Sequence, residues 1–470
     1  KTKGYLRPNS GANSNSTKGK VKTKNWHRFI KTGEFNIRHS SVFPLFNIAF
    51  NFGHLKLKQV NLLLSIRLYF INFLLLIFKL RKFGNFFFTG IENFTERKEN
   101  LYSFSKGCAA PLDLRCGCNI NGMINNEVVF DSSQLTLPKI LRANGYQTAI
   151  IGKWHLGFEK PNIPNSKGFD QFKGFLGDMM DDYYTHRRDG INWMREDEKE
   201  IDPKGHATDL FTDWAIDYVV EKNKSTSPYF LYLAYNAPHF PIQPPAEFLD
   251  KVKQREPYAT ALRAKNIALV EHLDASIGKL MATLEATGQI NNTIIVFSSD
   301  NGGSLPHGQS NGTLNGGKQD MLEGGIKVPA VVVWKDKIKA GGSSDQLALL
   351  MDLFPTLANI AGASIEHPIN GINLTAVLKG GAPIQTDRTV YWMRREGGQH
   401  NGLAYYAARK GNIKILQNNP FEAFKGYDLD KDPLEKNPIN TKDNELFKAL
   451  KFSLQEHIRA SGKIPWQQPN

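Results

Sequence analysis

Cysteine is scarce in this chain: three occur among 470 residues, crowded into one stretch at Cys108, Cys116 and Cys118. That excludes a disulfide framework. Cys-Gly-Cys has no His or further Cys at metal-site spacing, so the three read as free thiols near a segment boundary. Acidic residues are missing only at the front. Residues 1–107 hold no Asp and four Glu against nineteen Lys and Arg, a charge of +15. The whole chain carries +14, so the remainder sums to −1. The basic character therefore belongs to one segment, and the near-neutral body gives little support to a nucleic-acid-binding face.

Residues 1–107 also hold 15 of the 30 Phe. Lys1 to Lys24 is rich in Lys, Ser and Asn and reads as disordered. An apolar run follows from Val60 to Leu80, interrupted by Arg67 and Lys79. Its length approaches the roughly 20 residues that cross a bilayer. A charge near the centre costs about 2.5–3.5 kcal/mol on insertion scales. Membrane anchoring through 60–80 is one reading of this segment, and translated non-coding sequence is another.

From Gly117 onward the pattern is that of an α/β protein. Thr136, Pro138 and Gly145 bracket a helix. Gln147–Ile151, Tyr229–Leu233, Thr293–Phe297 and Val331–Trp334 read as short buried strands. Asp209–Glu221 and Tyr258–Ala286 carry apolar residues at helical spacing, and Leu347–Ile360 reads as helical despite Pro355. Alternating strands and helices predict a mostly parallel sheet sandwiched by helices. After residue 380 the rhythm changes. Thr389–Met393, Ala404–Arg409 and Asn412–Leu416 predict a small antiparallel subdomain over 381–470, closed by a helix over Leu446–Arg459.

Polar clusters follow three of these strands and precede a fourth. Lys153-Trp154-His155 follows the first, Ala237-Pro238-His239-Phe240-Pro241 the second, and Ser299-Asp300-Asn301-Gly302-Gly303 the third. Gly316-Gly317-Lys318 and Glu323-Gly324-Gly325 precede the fourth. Each alone reads as a solvated loop or turn. Gly-Gly-Lys also lacks the spacing of a phosphate-cradling loop. In open α/β sheets, however, ligands bind beyond the strand ends. Two lysines, two histidines and two oxygen donors meeting there describe a site for a hard cation and a tetrahedral anion.

Gly152-Lys153-Trp154-His155-Leu156-Gly157, Ala237-Pro238-His239-Phe240-Pro241, Ser299-Asp300-Asn301-Gly302-Gly303 and Gly316-Gly317-Lys318, in this order, resemble successive motifs of the type I sulfatases. Asp352-Leu353-Phe354-Pro355-Thr356-Leu357 and Tyr427 to Pro433 are similar to later segments of that family. The likeness runs from about Gly117 to the C-terminal region and is nearest the arylsulfatase and N-acetylgalactosamine sulfatase types. It implies the alkaline phosphatase-like fold, with a catalytic domain over 117–380 that lacks its first strand. It implies hydrolysis of sulfated sugars or aryl sulfates by a formylglycine, with calcium as cofactor. Asp300 and Asn301 would be calcium ligands. Lys153 and Lys318 would bind sulfate, His155 would assist deprotonation of the nucleophile, and His239 would bind sulfate and protonate the leaving oxygen.

Two family features have no counterpart in the chain. The paired aspartates that supply the other calcium ligands are absent upstream, and Asp181-Asp182 falls in the wrong part of the order. The nucleophile motif Cys/Ser-x-Pro-x-Arg, read by the formylglycine-generating enzyme, is also missing. Cys108, with Pro111 and Arg115, comes nearest but has the wrong spacing. Both gaps predict an inactive chain as written. Two further readings are a non-catalytic sulfatase-fold protein that binds sulfated glycans, and a phosphodiesterase or phosphonate hydrolase of the same superfamily. By the resemblance the chain is expected in the secretory pathway, lysosome, extracellular space or periplasm. Asn223, Asn291, Asn311 and Asn373 fit the glycosylation sequon.

Overall fold

A computed structural model describes residues 102–105, 135–395, 404–441 and 444–461. The three cysteines and the 60–80 run lie outside the described residues. Strands are numbered in chain order: β1 Tyr102–Ser105, β2 Gln147–Lys153, β3 Gln171–Phe175, a hairpin of β4 Arg187–Arg188 and β5 Ile191–Asn192, then β6 Met194–Glu196 and β7 Lys199–Glu200. There follow β8 Tyr229–Ala234, β9 Ile294–Ser298, β10 Lys327–Trp334, β11 Ala348–Leu349, β12 Thr389–Arg395, β13 Ala404–Lys410, β14 Ile413–Gln417 and β15 Lys425–Asp428. The helices are α1 Leu137–Ala143, α2 Ala207–Lys222, α3 Ala246–Arg255, α4 Ala261–Ala286, α5 Glu323–Ile326, α6 Leu353–Ile360, α7 Thr375–Leu378 and α8 Glu445–Ser461.

Three sheets organise these elements. One has the order β7-β6-β3-β2-β8, a second β11-β1-β10-β9, and the third β12-β13-β14-β15. The first is parallel at its heart, with β2 parallel to both β3 and β8. The second is largely antiparallel, since β10 runs against β9 and β1. The α/β architecture is thus mixed rather than parallel throughout. Alternation along β2 sends Ile151 to one face, with Phe211, Ala215 and Leu269 of α2 and α4. Ile150 goes to the other, with Trp154, Phe169 and Phe172. On that side α1 and α6 share Leu137, Leu141, Phe354 and Ala358.

Strands β8 and β9 are half-buried along their whole length. Apolar residues are expected to be more deeply covered in the middle of a sheet. Among the described residues no strand joins the two, and a cavity of about 2740 Å³ runs between them.

Three sequence expectations need correction. Leu347–Ile360 is not one helix: Ala348–Leu349 is strand, and α6 starts at Leu353. The reason is Asp352, whose carboxylate caps Leu349 N–H at 2.7 Å and receives both Arg388 nitrogens at 2.8 and 2.7 Å. The long helix over Tyr258–Ala286 begins only at Ala261. Thr260 caps it by accepting from Arg263 N–H, and Tyr258 is 99% exposed ahead of it. The C-terminal sheet has a fourth strand, β15, whose Lys-Gly-Tyr-Asp sequence carries no period-2 signal.

Asp352 is fully buried. Removing one partner from a buried pair leaves an uncompensated charge. Arg388→Met is therefore expected to cost roughly 3–5 kcal/mol, read as a lowered urea midpoint.

Buried His206 and His272 and half-buried Asp209 form a cluster where α2 meets α4. It resembles a metal site, but His206 has no lone pair to give. Its Nδ1 accepts from Thr208 N–H at 3.2 Å, and its Nε2–H donates to Gln243 O at 3.0 Å. His272 Nε2 meets Asp209 Oδ1 at 3.0 Å. The cluster is a structural link. Burial, and then the neighbouring His272, lower the His206 pKa to about 4. An unfolded His titrates near about 6.5. Below that pH the unfolded chain takes up a proton that the folded chain refuses until about 4. Stability from this residue is therefore full above about pH 6.5 and is lost as pH falls toward 4, by roughly 2–3 kcal/mol. Thermal unfolding between pH 7 and 4.5 should show the decline, and His206→Asn should make it shallower, the buried His155 and His239 supplying the rest.

Candidate functional site

The site is built where strand ends and loops crowd together. β2 ends at Gly152-Lys153. Gly152 has φ +114, and a Cβ there would lie 2.1 Å from Ala234 O of β8. Only glycine lets the two strands close at this point. The chain then continues along the end of β3, with Trp154 N–H donating to Phe175 O and His155 N–H to Leu176 O. Trp154 is locked by its indole N–H to Asn162 O at 2.7 Å. His155 sits at φ +61, a left-handed conformation uncommon for a side-chain-bearing residue. Its Nε2 is buried with no hydrogen-bond partner among the described residues.

The loop after β8 carries His239. Its Nδ1–H donates to Phe240 O at 2.7 Å, which leaves Nε2 as the acceptor nitrogen. Tyr183 Oη–H donates to His239 O, and Gln309 Nε2–H to Pro238 O, at 3.0 and 2.8 Å. Asp300 and Asn301 follow β9, where Asn301 Nδ2–H donates to Gly302 O. Gly302 N–H donates to Gly325 O, and Lys318 N–H to Gly303 O at 2.8 Å, so the loops bearing Asp300 and Lys318 are stitched together. A Cβ on Gly302 would meet Gly324 O at 1.8 Å.

All six residues line the same cavity: Lys153, His155, His239, Asp300, Asn301 and Lys318. Lys153, Lys318 and Asp300 act electrostatically on both histidines. The His155 pKa is lowered to about 3 by burial, then by Lys153, His239 and Lys318, with Asp300 opposing. The His239 pKa is lowered to about 4 by burial, then by Lys318 and Lys153. Both imidazoles are neutral at neutral pH. That suits His155 as a proton acceptor. It means His239 can act as a proton donor only with an anion beside it, since a negative charge there stabilises the imidazolium.

A hard cation takes about 6–8 oxygens. The described residues named for that role offer two, from Asp300 and Asn301, beside two cationic lysines. They do not make a calcium site by themselves. Asp181-Asp182 adds nothing to it. The Asp182 carboxylate accepts from Tyr184 N–H, Thr185 N–H and Gln243 Nε2–H, and Asp181 pairs with Arg188.

Sequence reasoning missed Tyr183, Gln309 and Asn311. Asn311 read as a glycosylation acceptor, yet its side chain accepts from Gly303 N–H and donates to Gly303 O and Gly316 O. A glycan there would break the loop that carries Lys318. The other two have no spacing signal, because they act on backbone groups: Tyr183 on His239 O, and Gln309 on Pro238 O and Ser304 N–H.

Comparison with known proteins bears directly on this arrangement. The Sulfatase family model matches residues 119–363, and the model for the N-sulphoglucosamine sulphohydrolase C-terminal region matches 317–462. N-acetylgalactosamine-6-sulfatase of Mus musculus is 32% identical over 280 residues, 56% of this chain and 52% of that protein. N-acetylglucosamine-6-O-sulfatase of Bacteroides thetaiotaomicron is 28% identical over 414 residues, 68% of this chain and 71% of that protein. The solved structure of Ps i-CgsB in complex with k-i-k-neocarrahexaose superposes with a TM-score of 0.66 at 28% identity, covering 80% of this chain and 88% of that one. The chain spans about half the length of the mammalian relatives it matches. With the family model spanning more than half of it, and the strand-end loops carrying the motifs in order, this chain belongs to the sulfatase family.

Proposed function

We propose that the chain is the sulfate-recognising part of a sulfuric ester hydrolase that acts on sulfated carbohydrates. The observation that carries this reading is that two ammonium and two imidazole groups, Lys153, Lys318, His155 and His239, line one cavity, with Lys153, Lys318 and His239 all lowering the His155 pKa. A sulfate ester is a tetrahedral monoanion. Lys153 and Lys318 offset the charge on its sulfur-bound oxygens, while breaking the S–O bond moves an electron pair onto the leaving oxygen. Neutral His155 takes a proton from the attacking group. The bound anion lets His239 take up a proton, which it hands to the leaving sugar oxygen.

The relatives named above for 6-sulfated amino sugars support a carbohydrate substrate over an aryl one. Calcium is the family's ion. Asp300 and Asn301 are the two oxygens that the described residues would give it. In the family the nucleophile is a formylglycine. None of the three cysteines has the sequence that the formylglycine-generating enzyme reads, so Cys108 is not assigned that role. The same observation favours, as a second reading, a non-catalytic protein that binds sulfated glycans. We assign the catalytic domain to 117–380 and the smaller subdomain to 381–470. A location in the secretory pathway or periplasm accords with that chemistry. Among the described residues no helix is long and apolar enough to cross a membrane.

Calorimetry with glucosamine 6-sulfate tests the binding. Lys318→Ala is expected to weaken it by about tenfold or more, and unsulfated glucosamine is expected not to bind. Equal affinity for the two sugars would sink the proposal. Release of inorganic sulfate by the intact protein, with a mass showing formylglycine, separates the enzyme from the glycan-binding reading. Release of phosphate but not sulfate from matched esters would point to the phosphodiesterase branch instead.

A further inference from the structure

A buried charge cluster lies behind the loop that carries Lys318. Lys414, in β14, is fully buried. Its Nζ stands 2.8 Å from Glu323 Oε1 and 2.7 Å from Glu435 Oε1. Arg409 of β13 adds a second cation, 3.7 Å from Glu323 Oε2. Two carboxylates and two cations thus balance in a place with almost no water. Burial pushes the Glu435 carboxyl up, with Lys414 opposing it. Burial acts the same way on Glu323, but Lys414 and Arg409 outweigh it and hold that carboxyl down.

The cluster grips backbone as well as side chains. Glu435 Oε2 accepts from Glu323 N–H at 2.5 Å, and Glu435 O accepts from Asn315 Nδ2–H at 3.2 Å. Glu435 is itself held at φ +52, a left-handed conformation that its surroundings must enforce. Asn418, just past β14, accepts from Met321 N–H at 2.6 Å. The segment Asn315–Gly325 is therefore tied on one side to the Asp300 loop and on the other to the C-terminal sheet. Apolar Leu416 lies two residues along from Lys414, on the same face of β14, in an apolar cluster with Met321 and Ile326. An apolar residue could pack at 414 too, yet a lysine stands there. Buried charges of this kind cost stability unless fully paired, and their better-attested use is to fix one arrangement.

We propose that Lys414 is a positioning residue of the anion site. Its buried ammonium ties the loop bearing Lys318 to the C-terminal sheet, so that sheet sets where the Lys318 ammonium stands. This rests on the reading of Lys318 as a sulfate-binding group.

Hydrogen exchange and calorimetry on the full chain test it together. In Lys414→Met, amides of Asn315–Gly325 should exchange about tenfold faster than in the parent, while those of α1 stay unchanged. Affinity for glucosamine 6-sulfate should fall by about tenfold, and Lys414→Arg should restore most of both. If Lys414→Met does not fold, the charge-balanced double variant Lys414→Met/Glu435→Gln takes its place with the same expectations. Parent-like exchange and affinity in the variant that folds would overturn the proposal. Exchange that rises equally in α1 would also overturn it, because the role would then be general stability. If the parent protein fails to bind the sugar, the functional reading fails, and the exchange arm still decides the clamp.

Discussion

Like charges held together repel, and this structure is organised around that constraint. Lys153, Lys318, His155 and His239 face one cavity, and each imidazole feels both ammonium groups. In the low-dielectric surroundings of a cleft such repulsion is worth several times its value in water. The opposing carboxylate is Asp300, which raises both histidines only in part. What keeps the cations in place is backbone: the Gly152 crossing to β8, the Gly302–Gly325 bond and the Lys318–Gly303 bond.

Much of this was legible in the sequence, for reasons that differ by residue. Strands β2, β8, β9 and β10 were readable because apolar runs of about five residues stand between Gly, Pro and polar loops. Lys153, His155, Asp300, Asn301 and Lys318 each lie within three residues of a strand end or a glycine pair, whereas His239 lies five residues past β8, between Pro238 and Pro241. Nothing local marks Lys414, however. Its neighbours Ile413 and Ile415 suggest an ordinary strand with a solvated lysine, and only the partners at 323 and 435 reveal a buried ammonium. Asp352 was hidden for the same reason, since Arg388 lies 36 residues away. Long-range charge pairing overrode helical periodicity there.

The C-terminal sheet is more than an appended unit in this picture. One of its faces packs against α8 through Ala408, Ile415, Phe447 and Leu454. The other meets Met321, Ile326 and Leu349 of the larger body. A single apolar layer continues from the loop of the anion site into the last sheet. The family model for the C-terminal region likewise begins at 317, before the strand that leads out of the site.

The close crossing at Gly302 has a consequence for how the gene can drift. At most surface loops a methyl group is a neutral gain, whereas here it would collide with a carbonyl oxygen in the next loop. One base change is enough to turn a glycine codon into an alanine codon. The smallest coding step available would thus push apart the two loops that bring carboxylate and ammonium together, with charge, hydropathy and predicted secondary structure all nearly unaltered. Variants at this position would look harmless in any comparison of side-chain chemistry, and would be harmful through shape alone.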